Sequence, residues 1–430
     1  MLEKLFQLKE HGTTVRQEVI AGLTTFLTMA YIIVVNPDIL SKTGMDFGAV
    51  FTATCIAAAI GTLIMGLLAN YPIALAPGMG LNAYFSFAVV LGMGYSWQVA
   101  LGAVFISGLL FFVLSIFRIR EYIINAIPLS LRLGISAGIG FFLALIALKN
   151  AGIVVDHPAT LVTLGPITEG PQLMAILGFL LICVLAYKRV MGSVIIGILA
   201  VTIVGLITGH VEYKGIVSAP PSMAPTFMQM DIAGALDVGL VSVIFAFLFV
   251  DLFDTSGTLI GAAHRGNLLD KDGKLPRLGR ALMADSAATM SGAALGTSTV
   301  TSYVESTAGI AAGGRTGLTA VVVAGLFLLS LVFSPLALMI PAFATAPALL
   351  YVAVLMCSGL KQVDWEDITE AAPVAVTALA MPFTFSIAHG IALGFISYTL
   401  LKLFSGKTSQ LNVALYAVSA LFVVKFAFFG

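Results

Sequence analysis

Charge is what this chain has least of. Of its 430 residues only 10% are Asp, Glu, Lys or Arg, whereas 59% are hydrophobic and the mean hydropathy is +1.06. A soluble domain carries about 25% charged residues. From Phe47 to Phe117 there is no Asp, Glu, Lys, Arg or His, a length that holds three or four membrane crossings at about 20 residues each. No long soluble domain can be placed, and the chain reads as a polytopic membrane protein. Cysteine is scarce too: Cys55, Cys183 and Cys357 lie in separate apolar runs without CxxC or Cys/His groupings, which excludes a disulfide framework or zinc site. No G-x-S-x-G or Ser/His/Asp grouping is present, the five histidines fall mostly in loops, and Gly78-Met79-Gly80 follows no soluble strand. Nothing points to an enzyme or to a cofactor. The charged N-terminus, MLEKLFQLKEHGTTVRQE, lacks the apolar core and cleavage site of a signal peptide, and a formal net charge of zero says nothing about partners.

What is present is a series of fourteen or fifteen apolar runs. The first, Val19–Val35, is expected to stop at Asn36-Pro37, and the second, Ala49–Ala69, at Asn70-Tyr71-Pro72. VDWEDITEAA, Val363–Ala372, has the charge pattern of a short interfacial helix. Basic residues in short loops, among them Lys4, Arg16, Arg118, Arg120, Arg132, Lys188, Arg189, Arg265, Lys271, Lys274, Arg277 and Lys361, share one side if the runs alternate, while Lys42 and Lys149 fall opposite. That side is expected to be cytoplasmic, together with the N-terminus. Seven runs precede the polar connection Gly209–Asp237 and about seven follow it. An odd number per half makes the halves inverted in topology.

Two runs are anomalous, each third in its half. Pro72–Leu91 is interrupted by Pro77-Gly78-Met79-Gly80 and carries a lone amide, Asn82. Gly296–Gly314, GTSTVTSYVESTAGIAAGG, is too rich in Gly, Ser and Thr to face lipid and holds one carboxylate, Glu305. Thr297–Ser302 should be extended, and Ser302-x-x-Glu305 has capping-box spacing before a helix of small residues. An extended piece running into a half-helix presents amides and a helix N-terminus to a small solute. The plain alternative is that Glu305 merely caps its helix.

Four carboxylates lie in apolar runs: Asp251, Asp254, Asp285 and Glu305. Each must be paired, protonated or facing water. Asp251 and Asp254, three apart, lean toward one side of a helix, and Thr258 and Gly257 follow where a solute would approach. Asp254 reads as a ligand or proton-binding group, Asp251 as its supporting partner, and Asp285 as structural or proton-linked. Asn82, just after the break, is a candidate substrate contact, against an ordinary helix N-terminal amide.

EVIAGLTTFLTMAYIIVVNP, PIALAPGMGLNAYFSF, DLFDTSGTLIG and GTSTVTSYVESTAGIAAGGRTGLTA, with loop phrases such as YKGIVSAPPS and LLDKDGK, resemble the AzgA-like purine permeases of the nucleobase–cation symporter-2 family over essentially the whole chain. The resemblance implies an all-α polytopic membrane protein of fourteen transmembrane segments in two inverted seven-span repeats, with short extended pieces in spans 3 and 10. Core segments would be 15–117 and 238–334, gate segments 118–208 and 345–405, with 409–430 an additional apolar segment. It implies proton-coupled purine uptake at the plasma membrane; the APGMGLNA phrase looks more like the hypoxanthine/guanine group than the adenine group. Its partners are then a purine nucleobase, protons and membrane lipid, with no nucleic acid and with a homo-oligomer left open. Carried over, the eighth-span carboxylate falls on Asp254, the tenth-span glutamate on Glu305, the third-span asparagine on Asn82, and the first-span threonines on Thr24, Thr25 and Thr28; Thr258 and Ser302 complete the expected substrate set, and Asp254, Glu305 and Asp285 the proton-linked set. A passive facilitator or channel would also use broken spans, whereas a sulfate or bicarbonate carrier would need a positive charge in the site.

Overall fold

Inside a bilayer there is no water to satisfy a backbone amide, so each segment must bond its own backbone, and this chain is helical almost throughout. The computed structural model describes residues 2–117, 126–236, 241–265, 268 and 275–428. The first half runs α1 (Val15–Met29), α2 (Ile32–Ser41), α3 (Phe47–Ile64), β1 (Leu75–Pro77), α4 (Met79–Ala83) continuing as a π-helical stretch to Gly92, α5 (Trp97–Ile116), α6 (Leu129–Asn150), a hairpin β2 (Val154–His157) and β3 (Leu161–Leu164), α7 (Gly170–Tyr187) and α8 (Ser193–Ile207). The second half runs α9 (Val241–Arg265), α10 (Leu278–Leu295), β4 (Val300–Ser302), α11 (Ser306–Ala311), α12 (Gly317–Ser330), α13 (Ala342–Cys357), α14 (Ile368–Phe383), α15 (Ile387–Phe404) and α16 (Val413–Phe428). Among the described residues eight helices are long and apolar enough to cross a membrane, and shorter apolar helices such as Met79–Gly92 accompany them. In the third position of each half, part of the run is spent on a strand before the chain turns helical.

The two strands pair antiparallel, Leu75 opposite Ser302 and Pro77 opposite Val300, and all six residues are buried. Two interrupted segments from opposite halves therefore meet in the interior, as the two-repeat pattern predicts. Around them α10 packs on α3 and α5, and α12 on α1 and α3; a second group packs α6 against α13 and α14, with α7 and α8 on α13 and α15 on α14. α16 lies against α15, where Thr399 and Ser419 share a hydroxyl bond of 2.7 Å, and Phe422 reaches Phe249 of α9. Gly296 ends α10 at φ +95°, a left-handed position that a glycine takes without strain.

Several sequence expectations change. The first run does not end at Asn36-Pro37: it passes through a turn at Ala30–Tyr31 that keeps right-handed helical backbone, and α2 continues through Pro37 to Ser41. Asn36 is instead fully buried, donating to Thr54 at 2.7 Å and Thr297 at 2.8 Å, so its amide ties α2 to α3 and to the approach to β4. Val363–Ala372 is not one short helix: Val363–Glu366 precede the helix, Asp367 caps α14 by accepting from Thr369, and Glu370 falls in that helix's first turn. The polar stretch between α6 and α7 contains the β2–β3 hairpin. Arg118, Arg120, Lys271 and Lys274, the LLDKDGK phrase except Leu268, and the boundaries expected at 118, 238 and 430 lie outside the described residues, as does the side chain of Arg265.

One ion cluster joins α14 to α15. Lys402 is fully buried with Nζ 2.5 Å from Glu370 and 3.8 Å from Asp367, while Lys407 holds Asp367 at 2.7 Å. That Lys407 contact keeps the Asp367 carboxyl well below the usual carboxylate range. Removing Glu370 leaves the buried Lys402 with Asp367 at 3.8 Å, a carboxylate that Lys407 already holds at 2.7 Å, and a buried charge so poorly compensated costs about 3 kcal/mol. Glu370→Ala should therefore lower the thermal midpoint of the detergent-solubilised protein clearly, and adding Lys402→Met should recover most of the loss. Equal midpoints for wild type and Glu370→Ala would contradict this account.

Candidate functional site

Where the strands meet, the interior opens into a cavity walled by Tyr31, Gly78, Met79, Gly80, Asp254, Thr258, Ser302, Tyr303, Val304, Glu305, Val352 and Met356. Two short helices begin at its edge, α4 at Met79 and α11 at Ser306, and the first amides of a helix have no intrahelical acceptor. The strand pair fixes this arrangement through Gly78 N–H to Thr299 at 2.9 Å and Tyr303 N–H to Ala74 at 2.9 Å. The Tyr303 hydroxyl adds a 2.5 Å bond to the Pro77 carbonyl. Gly78 is required by closeness: a Cβ there would stand 2.6 Å from Thr301 Cγ2 and 3.6 Å from Asp254 Oδ2, on the cavity wall.

The structure brings four expected residues, Glu305, Asp254, Thr258 and Ser302, to this wall. Glu305 does not cap α11, since its side chain makes no capping bond. The capping box fails because Ser302 is already in β4, opposite Leu75, and the helix starts only at Ser306. Glu305 instead accepts from the Tyr31 hydroxyl at 2.5 Å. No hydrogen-bond donor reaches the Asp254 carboxylate among the described residues, and the buried Ser302 hydroxyl likewise has no partner among them. An unsatisfied polar group at a cavity is a place where a ligand gains.

The other expected residues stand back from the wall. Asn82 is fully buried; its oxygen accepts from Ser298, and its Nδ2 has no partner among the described residues. It holds the approach to β4 and is not among the residues that line the cavity. Thr28 bonds to Thr24 and Thr25 carbonyls of its own helix at 3.1 and 2.7 Å, and lies 3.5 Å from the Glu305 carbonyl. Thr24 donates to Ile20, and the Thr25 hydroxyl is buried without a partner among the described residues. Asp285 is fully buried behind the strand pair and accepts from Thr255 at 2.7 Å; Thr255 also meets Thr301 at 2.6 Å and Asp251 at 3.4 Å. A carboxylate–hydroxyl network thus backs the cavity without opening onto it.

Tyr31, Tyr303, Val352 and Met356 were not expected in the site. Tyr303 lies within the anomalous Gly296–Gly314 stretch, which was the signal that could have found it, whereas Tyr31, Val352 and Met356 sit in apolar runs where such residues look like packing. Glu18 was also missed: fully buried, it accepts from the amides of Arg315, Thr316 and Thr319 at 2.9, 3.3 and 3.2 Å and from the Thr319 hydroxyl at 2.6 Å. Those four bonds fix the turn that follows α11, and with it the half-helix that carries Glu305.

A buried cavity at the junction of two interrupted membrane segments, with ionisable side chains and helix N-termini in its wall, defines a membrane transporter for a small solute. The chain belongs to the permease family: the Xan_ur_permease family model matches residues 16–393. It is 52% identical over 428 residues to the adenine permease AdeP of Escherichia coli K12, covering 100% of this chain and 96% of that protein. It is 47% identical over 439 residues to the guanine/hypoxanthine permease PbuG of Bacillus subtilis 168, covering 99% of this chain and 100% of that protein. Among solved structures it resembles the transmembrane domain of the cyanobacterial bicarbonate transporter BicA, with a TM-score of 0.67 at 15% identity over 86% of this chain and 96% of that one. At that identity the likeness concerns the fold alone.

Proposed function

We propose that this chain imports purine nucleobases across the plasma membrane by proton symport, with its N-terminus in the cytoplasm and with the first packing group, around the strand pair, moving against the second. The observation that carries the reading is the pair of carboxylates, Asp254 and Glu305, on one cavity wall beside two helix N-termini. A purine offers N–H donors beside ring-nitrogen acceptors, so carboxylates that accept and amides that donate form a matched set. An anion such as bicarbonate would be repelled by the same wall, which separates this site from the carrier whose fold it shares. Glu305 accepts from the base, and Asp254, whose carboxylate has no donor among the described residues, takes the proton.

The 6-substituent decides the substrate. A site in which a carboxylate meets N1–H and a donor meets the 6-oxygen favours hypoxanthine and guanine. Adenine lacks both, and one unmet buried hydrogen bond costs about 1–3 kcal/mol, roughly tenfold to a hundredfold in affinity. The 52% identity to an adenine permease favours the opposite choice. In proteoliposomes with an acidic exterior, radiolabelled hypoxanthine should accumulate and a protonophore should abolish the accumulation. Guanine should compete at concentrations tenfold or more below adenine, and uracil, lacking the imidazole ring, hardly at all. Adenine competing as well as guanine would reassign the protein to adenine, and accumulation indifferent to the protonophore would leave a passive facilitator.

A further inference from the structure

The turn between α1 and α2, where Ala30 and Tyr31 keep right-handed helical backbone within the continuous apolar span Val15–Ser41, sets one side chain on the cavity wall. Tyr31, 1% exposed, directs its hydroxyl to Glu305 Oε1 at 2.5 Å, the length of a charge-assisted bond. Tyr31 belongs to the first apolar span of the chain and Glu305 to the segment entering α11, 274 positions away. The bond therefore spans the cavity wall where a solute would sit. A phenol carries one proton to give, and a carboxylate deep in a membrane protein without a donor is costly.

Taking purine transport as proposed above, we infer that the Tyr31 hydroxyl is a stand-in for substrate. It satisfies Glu305 while the site is empty, yields that carboxylate to an N–H of the incoming base, and re-forms the bond on release. Substrate and phenol then compete for one acceptor. The exchange has two consequences of opposite sign. Tyr31 weakens apparent affinity, because each binding event must break its bond. It also speeds the return of the empty carrier, because the unloaded protein rearranges with Glu305 already paired instead of bare. Val352 and Met356 of α13 line the same cavity; Tyr351 of that helix lies within electrostatic range of Glu305 and Tyr31, and among the described residues only the Tyr31 hydroxyl is bonded to the Glu305 carboxylate.

The test uses the full chain in proteoliposomes with radiolabelled hypoxanthine and adenine, and compares two modes. Exchange, with the same base on both sides, never needs the empty carrier to return; net influx into base-free vesicles does. Tyr31→Phe keeps the ring and removes the donor. Exchange should persist near the wild-type maximal rate with an apparent KM several-fold lower, while steady net influx falls about tenfold or more, the scale of one lost charge-assisted hydrogen bond. Replacing Tyr31 with 3-fluorotyrosine keeps shape and bond and makes the phenol a stronger donor, so the exchange KM should rise; this variant decides the matter even if the phenylalanine form does not fold. Parallel loss of exchange and influx in folded Tyr31→Phe protein, or an exchange KM unmoved by both replacements, would overturn the role. Neither mode depends on a proton gradient, so a wild type that exchanges base but fails to accumulate it sinks the symport reading and leaves the Tyr31 result standing.

Discussion

Glu305→Gln should abolish high-affinity purine uptake while leaving the amount of protein in the membrane unchanged. The carboxylate offers two oxygens that only accept, one of which already holds the Tyr31 hydroxyl at 2.5 Å. The amide keeps one acceptor, loses the charge that strengthens its bond to the purine N–H, and replaces the other acceptor with a donor. Wherever that donor faces the purine N–H, a donor meets a donor. Loss of a charge-assisted pair and the unmet group together cost about 3 kcal/mol or more, a KM increase of at least about a hundredfold. Glu305→Asp keeps the charge and shortens the reach by one methylene, so its defect should be milder than that of Gln. Initial-rate uptake over a range of hypoxanthine concentrations, normalised to membrane-embedded protein, measures both. A Gln variant with wild-type KM would reduce Glu305 to an anchor for Tyr31.

The parts of this site that could be read from the sequence are those where the chain violates the bilayer's demand for apolar, helical segments. GTSTVTSYVESTAGIAAGG and PIALAPGMGLNAYF stood out because small polar residues and a Pro-Gly break make no sense against lipid, and their equivalent positions in the two halves indicated that they meet. The register of that meeting, Leu75 opposite Ser302, was not legible. It depends on how the second-half helices stack, and no local pattern encodes that. The same ignorance produced the capping box. Ser302 and Glu305 have the spacing, but the strand claims Ser302 first, and local propensity yields to tertiary pairing. Asn82 and Asn36 are a matched lesson: each is a lone amide near a proline in an apolar run, and each turned out to be a buried tie, to Ser298 in one case and to Thr54 and Thr297 in the other. Tyr31 shows the reverse failure. It sits in a continuous apolar span, at a turn that keeps helical backbone, so a key donor was hidden among ordinary hydrophobic neighbours.

Asp254→Asn should separate movement from accumulation. In the proposed cycle Asp254 enters the membrane-facing rearrangement protonated and releases its proton with the base on the other side, so proton and purine move together. Its setting supports that assignment over the alternatives. Glu305 is engaged by Tyr31, and Asp285 is sealed behind the strand pair with Thr255 at 2.7 Å, whereas Asp254 faces the cavity with no donor among the described residues. Asparagine resembles the neutral, protonated aspartate in size and charge but cannot release a proton. The variant should bind and exchange base yet lose the drive: one pH unit across the membrane is worth about 1.4 kcal/mol per proton, or up to tenfold accumulation, and the variant's ratio of inside to outside base should fall to about one whatever gradient is imposed. Exchange measured in the same vesicles verifies that the protein still turns over. An Asp254→Asn protein that concentrates hypoxanthine in response to an acidic exterior would remove Asp254 from the coupling step and move that duty to Glu305, the remaining carboxylate on the cavity wall.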